Sequence, residues 1–261
     1  MNVVACLKQV PGTTDVKINP ETNNLIRQGI KNVINPFDTY ALEEGVRIKE
    51  RCGGKVIVIS MGPPQAEEML REAISLGADE ALLLSDSAFA GADTWATAYT
   101  LATAINKLEQ YDIIICGRQT IDGDTGQVGP ELAEMLGVPL VTYVNRIEEM
   151  SDGQMRVQRM IDEGHEAIQA PLPAVITVTK DINVPRLPSL RGIARSESAV
   201  IPVWNSQKLG VDPARVGLSG SFTRVIKVFS PERSCQAEVF QGEVKEQVEC
   251  LIGKLKEAGL I

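Results

Sequence analysis

Between residues 117 and 129 the chain reads GRQTIDGDTGQVG. Glycines at 117, 123, 126 and 129 let a backbone approach a ligand closely or turn through positive φ. Thr125, Gly126, Gln127 and Val128 lead into a helix-like stretch, and free N–H groups at a helix N-terminus favour an anion. The same loop carries Arg118, Gln119, Thr120, Ile121, Asp122, Gly123 and Asp124. It has no P-loop lysine and no obvious set of magnesium ligands, so it points to binding a nucleotide rather than transferring a phosphoryl group. Asp122 and Asp124 are either a carboxylate pair or turn residues that orient the loop. The glycines alone also suit a loop with a purely structural role.

Catalytic constellations are scarce. The single histidine, His165, stands in GHE, in a strand or turn, and reads as a solvated surface residue. There is no GxSxG, so nucleophilic hydrolysis has no footing. The five cysteines, Cys6, Cys52, Cys116, Cys235 and Cys250, form no CxxC pair. Zinc and iron–sulfur sites need clustered soft ligands, so no metal site is indicated. Cys6 and Cys116 fall in apolar runs and read as small buried hydrophobes.

The loop needs a scaffold, and the chain supplies one. Residues 2–9 read as a buried strand, followed by a hairpin within DVKINPETNNLIRQ. NPFDTYALEEGVRIKE opens a helix, with Asn35 as cap, Pro36 in the first turn and Asp38 at the positive end. KVIVISMG is a strand; PPQAEEMLREAISLG is a helix closed by Gly77. EALLLSD is a strand, and ADTWATAYTLATAINKL a helix with Trp95, Tyr99, Ala102 and Ile105 near one face. YDIIICG is a strand, and TGQVGPELAEMLG a helix. Repeated strand–helix order predicts an α/β fold: a mainly parallel twisted sheet with helices on both faces, Rossmann-like. VTYVNRIEEM, QMRVQRMID and AVITVTK extend the sheet.

Ligands of such sheets bind beyond the carboxyl ends of the strands. Four segments end there: Cys6-Leu7-Lys8, Ser60-Met61-Gly62, residues 85–93, and Cys116-Gly117 onward. They make the walls of one crevice.

Beyond Lys180 the periodicity fails. Residues 181–222 hold four of the fourteen prolines, yet Leu187, Leu190, Ile193, Val200, Ile201, Val203 and Trp204 require cover. An arm laid along another polypeptide meets both conditions. EVKEQVECLIGKLKEAG is then an amphipathic helix, with Val244, Val248, Leu251, Ile252 and Leu255 on its apolar side. The expected organisation is a nucleotide-binding α/β domain at 1–182, a recognition loop and extended arm at 183–235, and a C-terminal docking helix at 236–261.

Composition bounds the function. The net charge is −8 with both signs interspersed, and aromatics are only 4%. Broad nucleic-acid binding needs a basic face and stacking platforms, so it is not expected. No stretch approaches the roughly 20 apolar residues of a membrane helix, and MNVVACLKQVPG lacks the basic region of a signal peptide. A cytoplasmic protein without membrane insertion is expected.

The residues resemble the beta subunit of electron transfer flavoprotein over essentially the whole chain. The resemblance rests on VVACLKQVPGT, NPFDTYALEEGVRIKE, VISMGPPQAEEMLREAISLGADEALLL and GRQTIDGDTGQVGPELAEMLG. It also rests on VQRMIDEGHEAIQAPLPAVIT, residues 157–177, which is similar to the family signature. Glu163 departs, standing where glycine or aspartate is usual, in a turn.

That resemblance implies a heterodimer with a flavin-carrying alpha subunit. In members that only shuttle electrons, the beta subunit holds AMP; in members that bifurcate electrons, it holds a second FAD. The nucleotide contacts carry over to Cys6, to Asn35, Pro36, Phe37 and Asp38, to Met61, and to Gly117 through Val128. DSAFAGADTWATA, residues 86–98, is similar to the bifurcating group's stretch, which makes Asp93, Thr94 and Thr97 candidate contacts to FAD. The plain reading is that Asp93 and Thr94 cap a helix, and both can hold. The resemblance also places a recognition loop at residues 183–195. There Leu190, ringed by Arg186, Arg191 and Arg195, would anchor an acyl-CoA-type or related flavin dehydrogenase; the plain alternative is a loop packed on its own subunit.

The leading expectation is a bifurcating subunit. NAD(H) would be the electron donor, and the outlets ferredoxin and the partner dehydrogenase. Arg118 is the candidate positive charge near the flavin, and Gly62 with Pro63 the candidates for close nicotinamide approach. The alternatives are a non-bifurcating carrier with AMP in the same site, and a redox-inactive nucleotide-binding α/β protein.

Overall fold

A computed structural model describes residues 1–12, 32–108, 110–151, 153–226 and 237–261. The hairpin expected within residues 15–28 lies outside the described residues. Two compact units divide the chain, Met1–Ile226 and Lys227–Ile261.

The first unit begins with β1 (Asn2–Cys6), β2 (Gln9–Pro11), β3 (Asn32–Ile34) and α1 (Pro36–Cys52). β4 (Lys55–Met61), α2 (Ala66–Ser75), β5 (Glu80–Leu84) and α3 (Thr94–Ile105) follow. Next come β6 (Ile113–Gly117), α4 (Val128–Leu136), and a run of strands: β7 (Leu140–Ser151), β8 (Gln154–Ile161), β9 (Gly164–Pro171) and β10 (Ala174–Val178). The unit ends with α5 (Leu190–Ser198), β11 (Val203–Trp204) and α6 (Ser206–Leu209).

Among the described residues nine strands form one sheet, in the order β11-β5-β4-β1-β6-β10-β7-β8-β9. Pairing is parallel from β11 through β7, and antiparallel from β7 to β8 and β8 to β9. The expected α/β fold with a mainly parallel sheet is present. Its central strands read as unbroken apolar runs because both faces are covered. Val3, Ala5, Val58 and Ile113 pack toward residues of α1 and α2. Val4, Cys6, Ile59 and Ile114 pack toward α3 and α4.

Several elements differ from expectation, each for a physical reason. The strand read over residues 2–9 stops at Cys6, and Gln9–Pro11 pairs instead with β3 in a separate two-stranded sheet. α2 starts at Ala66, leaving Pro63 and Pro64 in the preceding turn, where Pro63 O accepts from Ala66 N at 2.9 Å. α3 buries small residues, Ala96, Ala98, Thr100 and Ala104, while Trp95 and Tyr99 remain half-buried. β9, which carries the exposed His165, pairs along its whole length with β8.

The segment after Lys180 folds onto its own subunit as far as Ile226. α5 packs on α2, and β11 adds a parallel edge beside β5. Ile201 is buried there, and Trp204 packs against the α3 side of the sheet. The compact unit runs to Ile226. The second unit contains α7 (Val244–Glu257), whose apolar residues recur at the expected helical spacing. No residue of α7 is buried.

Candidate functional site

The helices change face between β1 and β6. α1 and α2 cover one side, α3 and α4 the other. Such a reversal opens a crevice at the carboxyl ends of the two strands. Cys6 and Cys116, the last register partners of the β1–β6 pair, form its floor, and both are buried. Burial and the neighbouring Cys6 sulfur hold the Cys116 thiol well above its ordinary value, so it stays protonated.

One wall is the start of α1. Asn35 does not cap this helix with its side chain. Fully buried, it bridges instead: Nδ2 donates to Asp38 Oδ1 and to the Gln119 carbonyl, both at 2.9 Å, and Oδ1 accepts from Ile121 N at 3.2 Å. The loop 117–128 is thus sewn to α1. Asp38 Oδ2 accepts from Lys8 N at 2.7 Å, which ties the end of β1 to the same point. Burial pushes the Asp38 carboxyl from 3.8 to about 7, against the lowering effect of bonds from Asn35 and Lys8. Pro36 fills the first turn.

Gly117 is where β6 meets that wall. A Cβ there would lie 2.3 Å from Asp38 Oδ1 and 2.7 Å from the Phe37 carbonyl carbon. Gly126 turns through φ +63°, while Gly129 faces Thr177, whose Cγ2 would be 2.6 Å from an added Cβ. Gly123 needs neither freedom; the positive φ in that part of the loop belongs to Asp124, at 54°.

The rest of the loop is tied by polar contacts. Lys8 Nζ pairs with Asp122 at 2.7 Å, across the mouth. The Lys8 ammonium and bonds from Thr120 and Gly123 hold Asp122 below its ordinary value despite partial burial. Gln119 Nε2 donates to Asp124, and Asp124 N to the Thr120 carbonyl at 3.0 Å. Asp122 and Asp124 both hold the loop in place through these bonds. Residues Thr125 to Gln127 lead to α4, whose first turn at Val128 has no side-chain cap. Its N–H donors remain available to an anion. Ser60 Oγ, at the end of β4 beside Met61 and Gly62, is buried with no hydrogen-bond partner among the described residues. A ligand hydroxyl or phosphate oxygen suits such an atom.

Arg118 leaves the loop between two aromatic rings, with Cζ 5.4 Å from the Phe37 centroid and 5.6 Å from that of Tyr143. Two ring faces steer a guanidinium while leaving its charge unneutralised. Tyr143 was invisible as a site residue in the sequence. Its φ is 58°, rare for a bulky residue inside a strand, and its N–H donates to Thr177 Oγ1 at 3.1 Å. The β10–β7 register shifts at this point.

The candidates on α3 are placed beside the loop but are largely engaged. Asp93 is the N-cap, accepting from Ala96 N at 3.0 Å. Thr94 Oγ1 donates to Glu131 Oε1 of α4 at 3.0 Å. Thr97 sits half-buried one turn on. The recognition candidates lie elsewhere. Leu190 is 88% exposed, as is its neighbour Leu187 at 87%, and Arg191 is exposed. Arg186 belongs to the mounting of this segment: its guanidinium is held by Glu43 and Glu50.

Fold and crevice together define a class: a doubly wound α/β protein with a crevice at its switch point, where ligands of such sheets bind. Residues 22–209 match the electron transfer flavoprotein domain. The chain belongs to the electron transfer flavoprotein family and is a member of its beta-subunit branch. It is 48% identical to the electron transfer flavoprotein subunit beta of Thermoanaerobacterium thermosaccharolyticum over 262 residues, the full length of both chains. It is 46% identical, again over both full lengths, to the caffeyl-CoA reductase–Etf complex subunit CarD of Acetobacterium woodii. Protein FixA of Azotobacter vinelandii is 41% identical, with 98% of this chain and 94% of that protein covered. Among the described residues no helix is long and apolar enough to cross a membrane. None of the described side chains form a group able to hold a metal ion.

Proposed function

We propose that this chain is the beta subunit of a heterodimeric, cytoplasmic electron transfer flavoprotein that holds FAD in the β1–β6 crevice. With its alpha subunit it takes electrons from NADH and divides them between ferredoxin and a flavin dehydrogenase of the acyl-CoA type. When bound, FAD supplies the hydride and single-electron chemistry; the chain binds, orients and shields it. The uncapped start of α4 and the Thr125–Val128 backbone would receive the phosphates. Gly117 lets the α1 wall close on the ligand, and Ser60 offers an unpaired hydroxyl. Arg118, steered by Phe37 and Tyr143, would place a positive charge at the mouth. Gly62 and Pro63, just after β4, are where the nicotinamide would approach.

The observation that carries this reading is the crevice itself, with its anion-accepting helix start beside a loop reading FAGADT. A relative named as part of a caffeyl-CoA reductase complex supports a dehydrogenase of acyl-CoA chemistry as partner. Leu187 and Leu190, exposed on one short segment, supply an apolar anchor for it.

The test is to purify the chain with its co-purifying subunit, extract the ligands, and titrate with NADH in the presence and absence of ferredoxin. A second FAD, no AMP, and bleaching by NADH are expected. FAD on the other subunit alone with AMP in this crevice, and no reduction by NADH, would make the protein a simple electron carrier. A colourless preparation would make it a nucleotide-binding protein without redox work.

A further inference from the structure

The loop after β5 does a second job, and Asp93 is its centre. Residues 216–223 lie against residues 88–93. Gly217 turns through φ +55°, and a Cβ on it would lie 2.1 Å from the Ala88 carbonyl oxygen. Leu218 N donates to the Ala90 carbonyl at 3.1 Å. Ser221 Oγ donates to the Gly217 carbonyl at 2.7 Å and accepts from Asp93 N at 2.8 Å. The Asp93 carboxylate completes the contact. Its Oδ2 accepts from Phe222 N at 2.8 Å, Thr223 N at 3.0 Å and Thr223 Oγ1 at 3.2 Å.

Oδ1 of the same carboxylate caps α3 through Ala96 N. A carboxylate offers about four lone-pair sites, and here four donors are present. The bonds from Ala96, Thr223 and Phe222 hold its pKa down against partial burial, so the acceptor stays ionised at neutral pH. Three of the four converge on Oδ2, which is therefore fully used by the exit segment, while Oδ1 is turned to the start of α3.

The side chains from the clasp onward are exposed: Phe222 is 84% and Ile226 94% exposed. The Phe222 ring lies beside that of Trp95, at 6.1 Å between centroids. With so little burial, hydrophobic packing holds the segment weakly, and the hydrogen bonds to Asp93 decide where it runs.

We infer that Asp93 is a positioning residue that anchors the exit of the chain from the first unit, with the 88–93 loop as its socket, rather than a contact to the bound nucleotide. The FAGADT stretch then has a mechanical reason for its composition. Gly91 approaches Leu218, with 3.4 Å between an added Cβ and the Leu218 Cβ. Thr94, the next residue, bonds to Glu131 on the crevice helix α4. The exit point is thereby fixed relative to the crevice wall through two adjacent residues.

The variant Asp93→Ser separates the roles, because serine caps a helix about as well as aspartate but has no second oxygen for the exit segment. Hydrogen exchange is measured residue by residue on the full chain purified with its co-purifying subunit, and bound flavin and AMP are counted on the same material. Exchange at Phe222 and Thr223 is expected to rise by about tenfold or more, with Ala96 still protected and the ligand content unchanged. Unchanged protection at Phe222 and Thr223 overturns the inference. So does loss of the ligand while those two amides stay protected, since the carboxylate would then serve the ligand. A preparation with no adenine nucleotide in wild type and variant alike overturns the proposed function and leaves the exchange result standing.

Discussion

Arg186 Nε lies 2.8 Å from Glu43 Oε2, a carboxylate on α1 that is only 5% exposed. The same guanidinium reaches Glu50 one helical stretch further, at 2.6 Å, and Arg186 N also donates to Glu43. Asn183 adds bonds to the Tyr40 carbonyl and to Glu44. One foot of the exposed Leu187–Leu190 segment therefore stands on α1, the helix whose other end forms the crevice wall. The second foot is on α2. Arg71 caps the end of α5 by donating to the Ser196 and Ala199 carbonyls, and Arg195 returns the contact to the Ile74 and Ala78 carbonyls. Arg186, expected as a partner contact, also buttresses the segment within its own chain.

Removing Arg186 should cost stability. Arg186→Ala leaves Glu43 buried with only Arg47 beside it. Truncating one side of a buried pair costs about 3–5 kcal/mol. Arg186 is itself a third exposed, and solvent screening brings the expectation to about 2 kcal/mol. Urea unfolding of R186A, E43Q and the double variant should show a coupling of about 1–2 kcal/mol between them. Strict additivity would mean that the pair carries no energy.

Asp38 should make stability fall as pH rises. Its carboxyl is raised by burial from 3.8 to about 7, so between those values the folded chain holds a proton that the unfolded chain has released. Folding is favoured by this group at the acid end of the window, and the advantage is gone above about 7. The bonds from Lys8 and Asn35 limit the cost of the ionised form without removing it. Asp38→Asn cannot ionise and should flatten this segment of the curve. Denaturant midpoints between pH 4.5 and 8 for the two proteins test it; parallel curves would show that Asp38 titrates normally.

Much of this was readable in the residues, and the misses share a cause. NVVAC, KVIVISM and IIICG read as strands because apolar runs with both faces covered have few other uses. The crevice followed from where those runs end. α5 was missed although Leu190, Ile193 and Ala194 recur at helical spacing behind the Ser189 cap, because the run is short, holds Gly192 and follows two prolines, and its ends are completed by Arg71 and Arg195, a pairing made only in three dimensions. β9 alternates weakly because most of its residues face water, so only its pairing with β8 marks it as a strand. Asn35 looked like a helix cap by position, yet its amide is used to hold the loop at Gln119 and Ile121. In each case a tertiary partner decided the outcome.

Glycine at 117 should be irreplaceable, and glycine at 123 dispensable. A methyl group at 117 would meet Asp38 N at 2.9 Å as well as the Phe37 carbonyl carbon at 2.7 Å. These are backbone atoms at the start of α1 and cannot rotate away. Gly117→Ala should destabilise by about 2–3 kcal/mol and lower nucleotide content. At 123 the nearest atom to an added Cβ is Thr120 Oγ1 at 3.6 Å, and φ is not positive. Gly123→Ala should be neutral or stabilising by up to about 1 kcal/mol, through the unfolded state. Thermal unfolding and ligand extraction of both variants provide the comparison; equal effects would remove the case for close approach at Gly117.

Tyr143 should prove a site residue whose loss barely affects folding. A non-glycine residue in the left-handed region costs about 1–2 kcal/mol, and Tyr143, 42% exposed, carries that cost at φ 58°. Tyr143→Gly relieves the strain and gives up modest burial, a cation–π contact of about 0.5–1 kcal/mol, and some unfolded-state entropy. These terms nearly cancel, so the unfolding midpoint should move little. The Arg118 guanidinium, however, loses one of its two aromatic walls and gains freedom to leave the crevice mouth. Ligand affinity should therefore fall by about three- to tenfold while stability holds, and Arg118→Ala should show no further loss when combined with Tyr143→Gly. Stability falling together with affinity would assign Tyr143 to the fold alone. Additive losses in the double variant would show that the ring and the guanidinium act separately.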